Sequence, residues 1–292
     1  MKNRRLCMLF VAIEVLSTAI ALIVLWRCSV ASRIAARESF YRSLGIYEPG
    51  TAEFVPLPQE TPHRSSAADL GNALFNDRRI VRNKKRTCGT CHPPFIGGTD
   101  DKLHDGILTR STHNAVFASF HLHDGRLKSL KEVVEHMISD PARGNLPLHF
   151  TAERLGEDAN MVKRFEKCYK TGLVASNVVD ALVERIRART TQPGVFDLHL
   201  SGRKNVLKAE QERGFEVFKT AKCASCHSGP ALGGRTVTNG RKTATLRGMS
   251  RRKLFLHDGS ATTPAEALAK MPRADKLSPE NTSALLSFLG IL

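Results

Sequence analysis

Apolar residues recur along the C-terminal three quarters of the chain at intervals of three and four, the spacing that lines one face of an α-helix. The clearest case follows Ser129 and Glu132, a Ser-x-x-Glu capping box that opens a stripe of Leu130, Val133, Val134, Met137 and Ile138. The device returns at Thr263 and Glu266, with Pro264 in the first helical position, ahead of Ala267, Leu268 and Met271. Further amphipathic helices are predicted at about 66–76, 159–170, 177–189, 206–219 and 279–289, the last capped by Ser278. No run alternates apolar and polar residues over a strand's length, so the predicted fold class is all-α.

Residues 6–26 break this pattern: they form a largely apolar stretch whose single acid is Glu14. Such a stretch makes roughly 31 Å of helix, enough to cross a bilayer. Behind a basic tip, it reads as an uncleaved signal anchor, with a removed signal peptide as the alternative because "SVA" at 29–31 resembles a cleavage site. The expected organisation is a cytoplasmic tip and transmembrane anchor over 1–40 and a Pro-rich linker over 41–65, followed by an N-terminal domain over 66–190 and a C-terminal domain over 191–292.

The chain also repeats itself. "HDGRLKSLKEVVEHM" at 123–137 is echoed by "HDGSATTPAEALAKM" at 257–271, and "LGNALFND" at 70–77 by "RGFEVFKT" at 213–220. Each copy contains a Cys-x-x-Cys-His pentad: Cys88, Cys91 and His92 in one, Cys223, Cys226 and His227 in the other. Composition alone yields about 0.006 such pentads in a chain of this length, which removes chance as an explanation for two. The spacing lets both thiols add to the vinyl groups of one haem while the adjacent imidazole reaches the iron. A zinc module keeps its cysteine pairs within about 15 to 20 residues, and a redox dithiol does not call for the histidine. The predicted cofactors are therefore two covalently bound c-type haems, carried by two cytochrome c-like domains in tandem. Met271, on an inward helix face, is the candidate sixth ligand of the C-terminal iron, a pairing that raises a haem's potential. Cys7, Cys28 and Cys168 are read as packing residues, and His113, His121, His136, His149 and His199 carry no motif.

These motifs, with "CGTCHPPFIGGTD", "NAVFASFHLHDGR", "CASCHSGPALGG" and "TLRGMSRRKLFLHDGS", resemble the bacterial di-haem cytochrome c peroxidases and their relatives that mature methylamine dehydrogenase, over most of residues 68–292. The resemblance implies a peroxide-reacting N-terminal haem and a high-potential C-terminal haem that receives electrons, with Met271 as ligand of the latter. It also implies that His104 is a removable ligand of the N-terminal iron. Met137, the repeat's counterpart of Met271, is the alternative there. Two positions depart from the family pattern: its inter-haem tryptophan is His123 here, and its distal glutamate aligns with Arg143. Arginine does not act as a base at ordinary pH, although it stabilises developing negative charge. The asparagine after the family's arginine is Ser111, so no calcium is predicted.

Lys and Arg outnumber Asp and Glu 44 to 28, a net charge of +16 that suits an acidic partner. No nucleic-acid module is visible, and "RNKKR" at 82–86 reads as a solvated loop. The expected activity is reduction of hydrogen peroxide with electrons from a small soluble cytochrome c or cupredoxin. The expected location is the periplasmic side of the inner membrane, either single-pass anchored or released as a soluble protein, and a homodimer is compatible with the sequence. The alternatives are a non-enzymatic electron-transfer protein and an oxidase acting on a protein or small molecule.

Overall fold

The structure is a computed structural model that describes residues 54–81, 86–104, 106–141 and 147–292. The sequence-based anchor over residues 6–26, Cys7, Cys28, Arg143 and most of the basic loop lie outside these residues. Among the described residues, no helix is long and apolar enough to cross a membrane.

In the N-terminal half, helix α1 (Ser65–Phe75) leads to the short α2 (Cys88–Cys91), then α3 (Leu130–Ser139), α4 (Leu148–Gly156), α5 (Ala159–Cys168) and α6 (Ala175–Arg187). The C-terminal half consists of α7 (Val195–Leu200), α8 (Ala209–Thr220), a 3-10 turn over Cys223–Ser225, α9 (Pro264–Ala269) and α10 (Pro279–Leu289). The capping box predicted before α3 forms: the Glu132 amide donates to Ser129 Oγ at 3.2 Å, and the Ser129 amide donates to Glu132 Oε2 at 3.0 Å. At α9 the Glu266 amide donates to Thr263 Oγ1 at 3.1 Å, while the Thr262 amide donates to Glu266 Oε2 at 2.7 Å.

Four two-residue strands qualify the all-α expectation: β1 (Leu103–His104) pairs with β2 (Ile107–Leu108), and β3 (Val237–Thr238) with β4 (Arg241–Lys242), both antiparallel. Two residues per strand are too few to show alternation, which is why the pattern gave no sign of them.

Each half is centred on one helix crossing made possible by a glycine. A Cβ on Gly71 would collide with the Ala181 carbonyl and Arg185 Cβ, and a Cβ on Gly214 with the Ala284 carbonyl and Phe288 Cβ. Thus α1 lies directly on α6, and α8 on α10, backbone against backbone. Leu70, Leu74, Phe75, Leu155, Phe165, Val178 and Leu182 form one core, while Phe196, Phe215, Phe218, Leu285 and Phe288 form the other.

The duplication extends to backbone detail. Bridges His121–Leu127 and Phe255–Ala261 lie 134 positions apart. So do the left-handed residues Leu122 (φ 63°) and Leu256 (φ 69°), and Asn114 (φ 62°) and Gly248 (φ 74°).

The halves are joined through these loops. The Ser119 and Phe120 amides donate to the Gly234 carbonyl, that of Lys242 to His123, and that of Leu108 to His257. Residues ahead of α1 also cross between them. Phe54 stacks edge-on against Phe215 at 4.9 Å, and the Leu57 amide donates to Asp197 Oδ1 at 2.7 Å. Asp197 is also held by Arg247 at 2.5 and 3.1 Å, an ion pair only 3% exposed on either side.

Candidate haem sites

The first pentad wraps into α2, which places Cys88, Cys91 and His92 on one turn of backbone, with the His92 amide donating to the Cys88 carbonyl at 2.9 Å. The second does the same across its 3-10 turn, where the His227 amide donates to Cys223. No disulfide joins any of the five described cysteines. Of these, Cys168 lies against the N-terminal core with its thiol 3.5 Å from the Ser66 carbonyl, a packing position.

Each pentad is followed by a loop that doubles back beneath its histidine. Gly97 and Gly98, at φ 80° and 74°, turn the first loop so that the Gly98 carbonyl lies 3.0 Å from His92 Nδ1. Leu232, at φ 50°, precedes Gly233 and Gly234 in the second, with its carbonyl 3.3 Å from His227 Nδ1. Engaging Nδ1 fixes the ring and leaves Nε2 as the nitrogen for a metal. Burial holds both imidazoles below the usual histidine range, hence neutral, as metal binding requires. Burial also raises the Cys88 thiol to about 11 and moves that of Cys223 in the same direction.

A cavity of about 610 Å³ opens beside the second pentad, lined by Cys223, Cys226, His227 and Met271, together with Arg110 and Lys242. It brings the predicted histidine and methionine ligands to one space. Arg110, Arg252 and Lys242 were not singled out from sequence, and they give the cavity a cationic wall. Arg110 Nε and Nη2 are buried without hydrogen-bond partners. Burial, then Arg252, lowers Arg110 to about 10, and burial, then Arg110 and Arg252, lowers Lys242 to about 8. Cations crowded together in this way fit the two propionates of a haem, which would supply the missing acceptors. Thiols, histidine, methionine, cavity and the orphaned nitrogens of Arg110 therefore suit a covalently attached haem.

His92, His104 and Met137 lie away from this cavity. His104 is at the end of β1, half-exposed, its Nε2 2.8 Å from Asp100 Oδ2. The ring, that carboxylate and the Cys91 thiol lie within 4.8 Å of one another, so His104 is next to the first attachment site. Met137 is half-buried on α3 between buried Val134 and Ile138. His123 and His257, the repeat's equivalent turn residues, meet across the halves with ring centroids 5.6 Å apart, and both Nε2 atoms are buried without partners. The 134-residue offset was the signal that could have paired them.

Residues 65–205 match the profile of the family described as di-haem cytochrome c peroxidase, and residues 211–292 that of cytochrome c. The chain is 27% identical to the cytochrome c551 peroxidase of Nitrosomonas europaea over 81% of this chain and 83% of that one. It is 29% identical to the methylamine utilization protein MauG of Methylorubrum extorquens over 60% and 53%. Among solved structures it is similar to a MauG-like protein associated with microbial copper homeostasis, with a TM-score of 0.68 at 17% identity, covering 84% of this chain and 95% of the other.

Proposed function

Since the chain belongs to the di-haem cytochrome c peroxidase family and carries two haem c groups, we propose that it reduces hydrogen peroxide, taking electrons at the C-terminal site and spending them at the N-terminal one. The carrying observation is the asymmetry of the two sites. His227 and Met271 line one cavity, so both would be available to hold a haem there, a ligand pair that would raise its potential. His104, by contrast, stands half-exposed on a two-residue strand next to Gly106, tied to Asp100 by a single hydrogen bond. Were His104 to hold a haem attached at Cys88 and Cys91, a side chain on so short a hairpin would be easily withdrawn, leaving a vacated position for peroxide. When bound, the N-terminal haem supplies the electron-transfer chemistry that cleaves the O–O bond.

The remaining work falls to side chains. Asp100 holds the His104 proton and keeps its ring clear of the vacated position. Met271 keeps the C-terminal site closed to peroxide. The His123–His257 contact, with ring centroids 5.6 Å apart, bridges the two modules. Arg143 offers positive charge to the departing oxygen and does not move the proton. Two electrons and two protons convert one peroxide into two waters, the electrons arriving singly from a small soluble donor. The +16 charge favours an acidic donor. The proposed location is the periplasmic face, where haem c is attached, with residues 6–26 as anchor or as removed signal.

Electron-spin and absorption spectra of the half-reduced protein, followed by peroxide addition, test this reading. A five-coordinate high-spin N-terminal haem that peroxide rapidly oxidises is expected. In Met271→Leu the C-terminal haem should lose its low-spin signature and accept electrons more slowly. Two low-spin centres indifferent to peroxide would overturn the proposal in favour of electron transfer alone.

A further inference from the structure

Arg185, 2% exposed in the last turn of α6, is the largest fully buried side chain among the described residues. Its Nε and Nη1 have no hydrogen-bond partner. The guanidinium carbon lies 3.2 Å above the Phe75 ring centroid, and the Phe75 ring in turn stands 6.4 Å from that of His92. The neighbouring acid, Glu184, is engaged elsewhere: it accepts from the Arg64 amide at 2.6 Å and faces Arg187 at 3.9 Å. After burial, a further cation, Arg189, disfavours the Arg185 charge, and among the described residues it is the Cys88 thiol that favours it, a group that loses its ability to ionise once it becomes a thioether.

The duplication shows what this position normally holds. Gly71, Ala181 and Arg185 make the N-terminal helix crossing, and Gly214, Ala284 and Phe288 make the C-terminal one, with Arg185 and Phe288 four residues beyond the contacted carbonyl. Phe288 packs among Phe196, Phe215 and Phe218, as an apolar crossing requires. A buried cation at the equivalent point is costly, and with two of its nitrogens unsatisfied only the Phe75 ring beneath the guanidinium offsets part of that cost. Nor does the haem neutralise it. Thioether-bearing vinyl carbons and propionates occupy opposite edges of the porphyrin, and Arg185 is on the Cys88 side.

We propose that Arg185 sets the potential of the N-terminal haem: its charge, which no carboxylate among the described residues pairs, opposes the extra positive charge of ferric iron and raises the midpoint, whereas the C-terminal module carries the neutral Phe288 at the same crossing. The sign follows from electrostatics, since a fixed cation in a low-dielectric interior favours whichever redox state is less positive. The consequence is a narrower gap between the two irons than their ligands alone would set. Arg185 is a positioning residue acting through space. The inference rests on haem attachment at Cys88 and Cys91, and not on peroxide being the substrate.

The test is a spectroelectrochemical titration of the full holoprotein, with electron-spin spectra at each applied potential to tell the haems apart. Arg185→Phe, which copies the other module, and Arg185→Gln should each lower the N-terminal midpoint by on the order of tenfold in the reduction equilibrium, about 59 mV for one electron, and leave the C-terminal midpoint in place. Arg185→Lys, which keeps the charge, should stay near the parent value. An unchanged N-terminal midpoint in the neutral variants overturns the proposal, and so does an equal fall in the Lys variant, which would assign the effect to packing. A haem count of two by mass in every variant separates either outcome from loss of cofactor. Should Arg185→Phe fail to load haem, the Gln and Lys pair decides by the same reading.

Discussion

His121 shows what a single residue can hide. It is 5% exposed and bridges to Leu127, and its counterpart in the second module is Phe255. The protein uses it as an apolar ring. Burial, then the neighbouring Lys242, depresses its pKa to about 4, with Glu132 acting weakly the other way. The unfolded chain binds a proton near pH 6.5 and the folded chain does not. This site therefore costs nothing above pH 6.5, and stability drains away as the pH falls from 6.5 towards 4, by roughly 3 kcal/mol in all. His113 and His257, both also lowered to about 4 chiefly by burial, add to the same slope. Denaturant midpoints of His121→Phe and the parent should therefore coincide more closely at pH 7 than at pH 4.5, where the variant should be the more stable; equal acid losses in the two proteins would refute the assignment. Such a residue is illegible in sequence, because a histidine without a motif gives no sign of its burial. Arg110, Lys242 and Arg252 escaped notice for the same reason: a lone basic residue reads as solvated, and only the fold shows that three of them share one wall. Cysteines and histidines in a fixed pentad, by contrast, carry their chemistry in their spacing, and counting along a repeat is what makes Met271 a candidate, which the fold places in the same cavity as His227.

At the scale of elements, the long helices were legible because each buries one continuous stripe. Helices α1, α5, α6, α8 and α10 begin and end within three residues of their predicted bounds. Helix α4 went unpredicted because it buries only Thr151 and Leu155, too few to establish a period, and α7 because six residues hold less than two turns. The Gly-x-x-x-Phe pair was visible as a repeated pattern, but its cause was not, since that cause is a helix sixty or more residues further along. At both crossings the glycine lets two backbones touch. Gly214→Ala should force α8 and α10 apart and destabilise the C-terminal module by about 1–3 kcal/mol, or more if α10 cannot shift. Thermal melts of the holoprotein followed at the haem absorption will show it, and a melting temperature unchanged from the parent would mean that the crossing has slack. The same change at Gly71 meets a carbonyl and the Arg185 Cβ in the same way, so the N-terminal module should lose stability to a similar extent.

Across the whole molecule, the two modules are held by a shared belt of loop hydrogen bonds and by the segment from Phe54 to Leu57, which rests on the C-terminal core before the chain enters α1. The sequence suggested an extended segment there, and its proline content explains why: nothing local distinguishes a free tether from a strap docked on a distant aromatic cluster. Asp197 is the buckle, accepting from Leu57, Gly194 and Arg247 together. Removing one partner of so deeply buried a pair costs about 3–5 kcal/mol, so Arg247→Met should expose the strap to protease well below the temperature at which the parent yields, and equal cleavage rates would show the pair to be dispensable. The buckle also imposes an order in time. A ribosome releases residue 57 long before residue 247, so the first pentad emerges, and is available to whatever joins porphyrin to it, while the strap still has no seat. Fastening waits for the last stretch of the polypeptide, and the finished pair of centres is sealed from its beginning by its end.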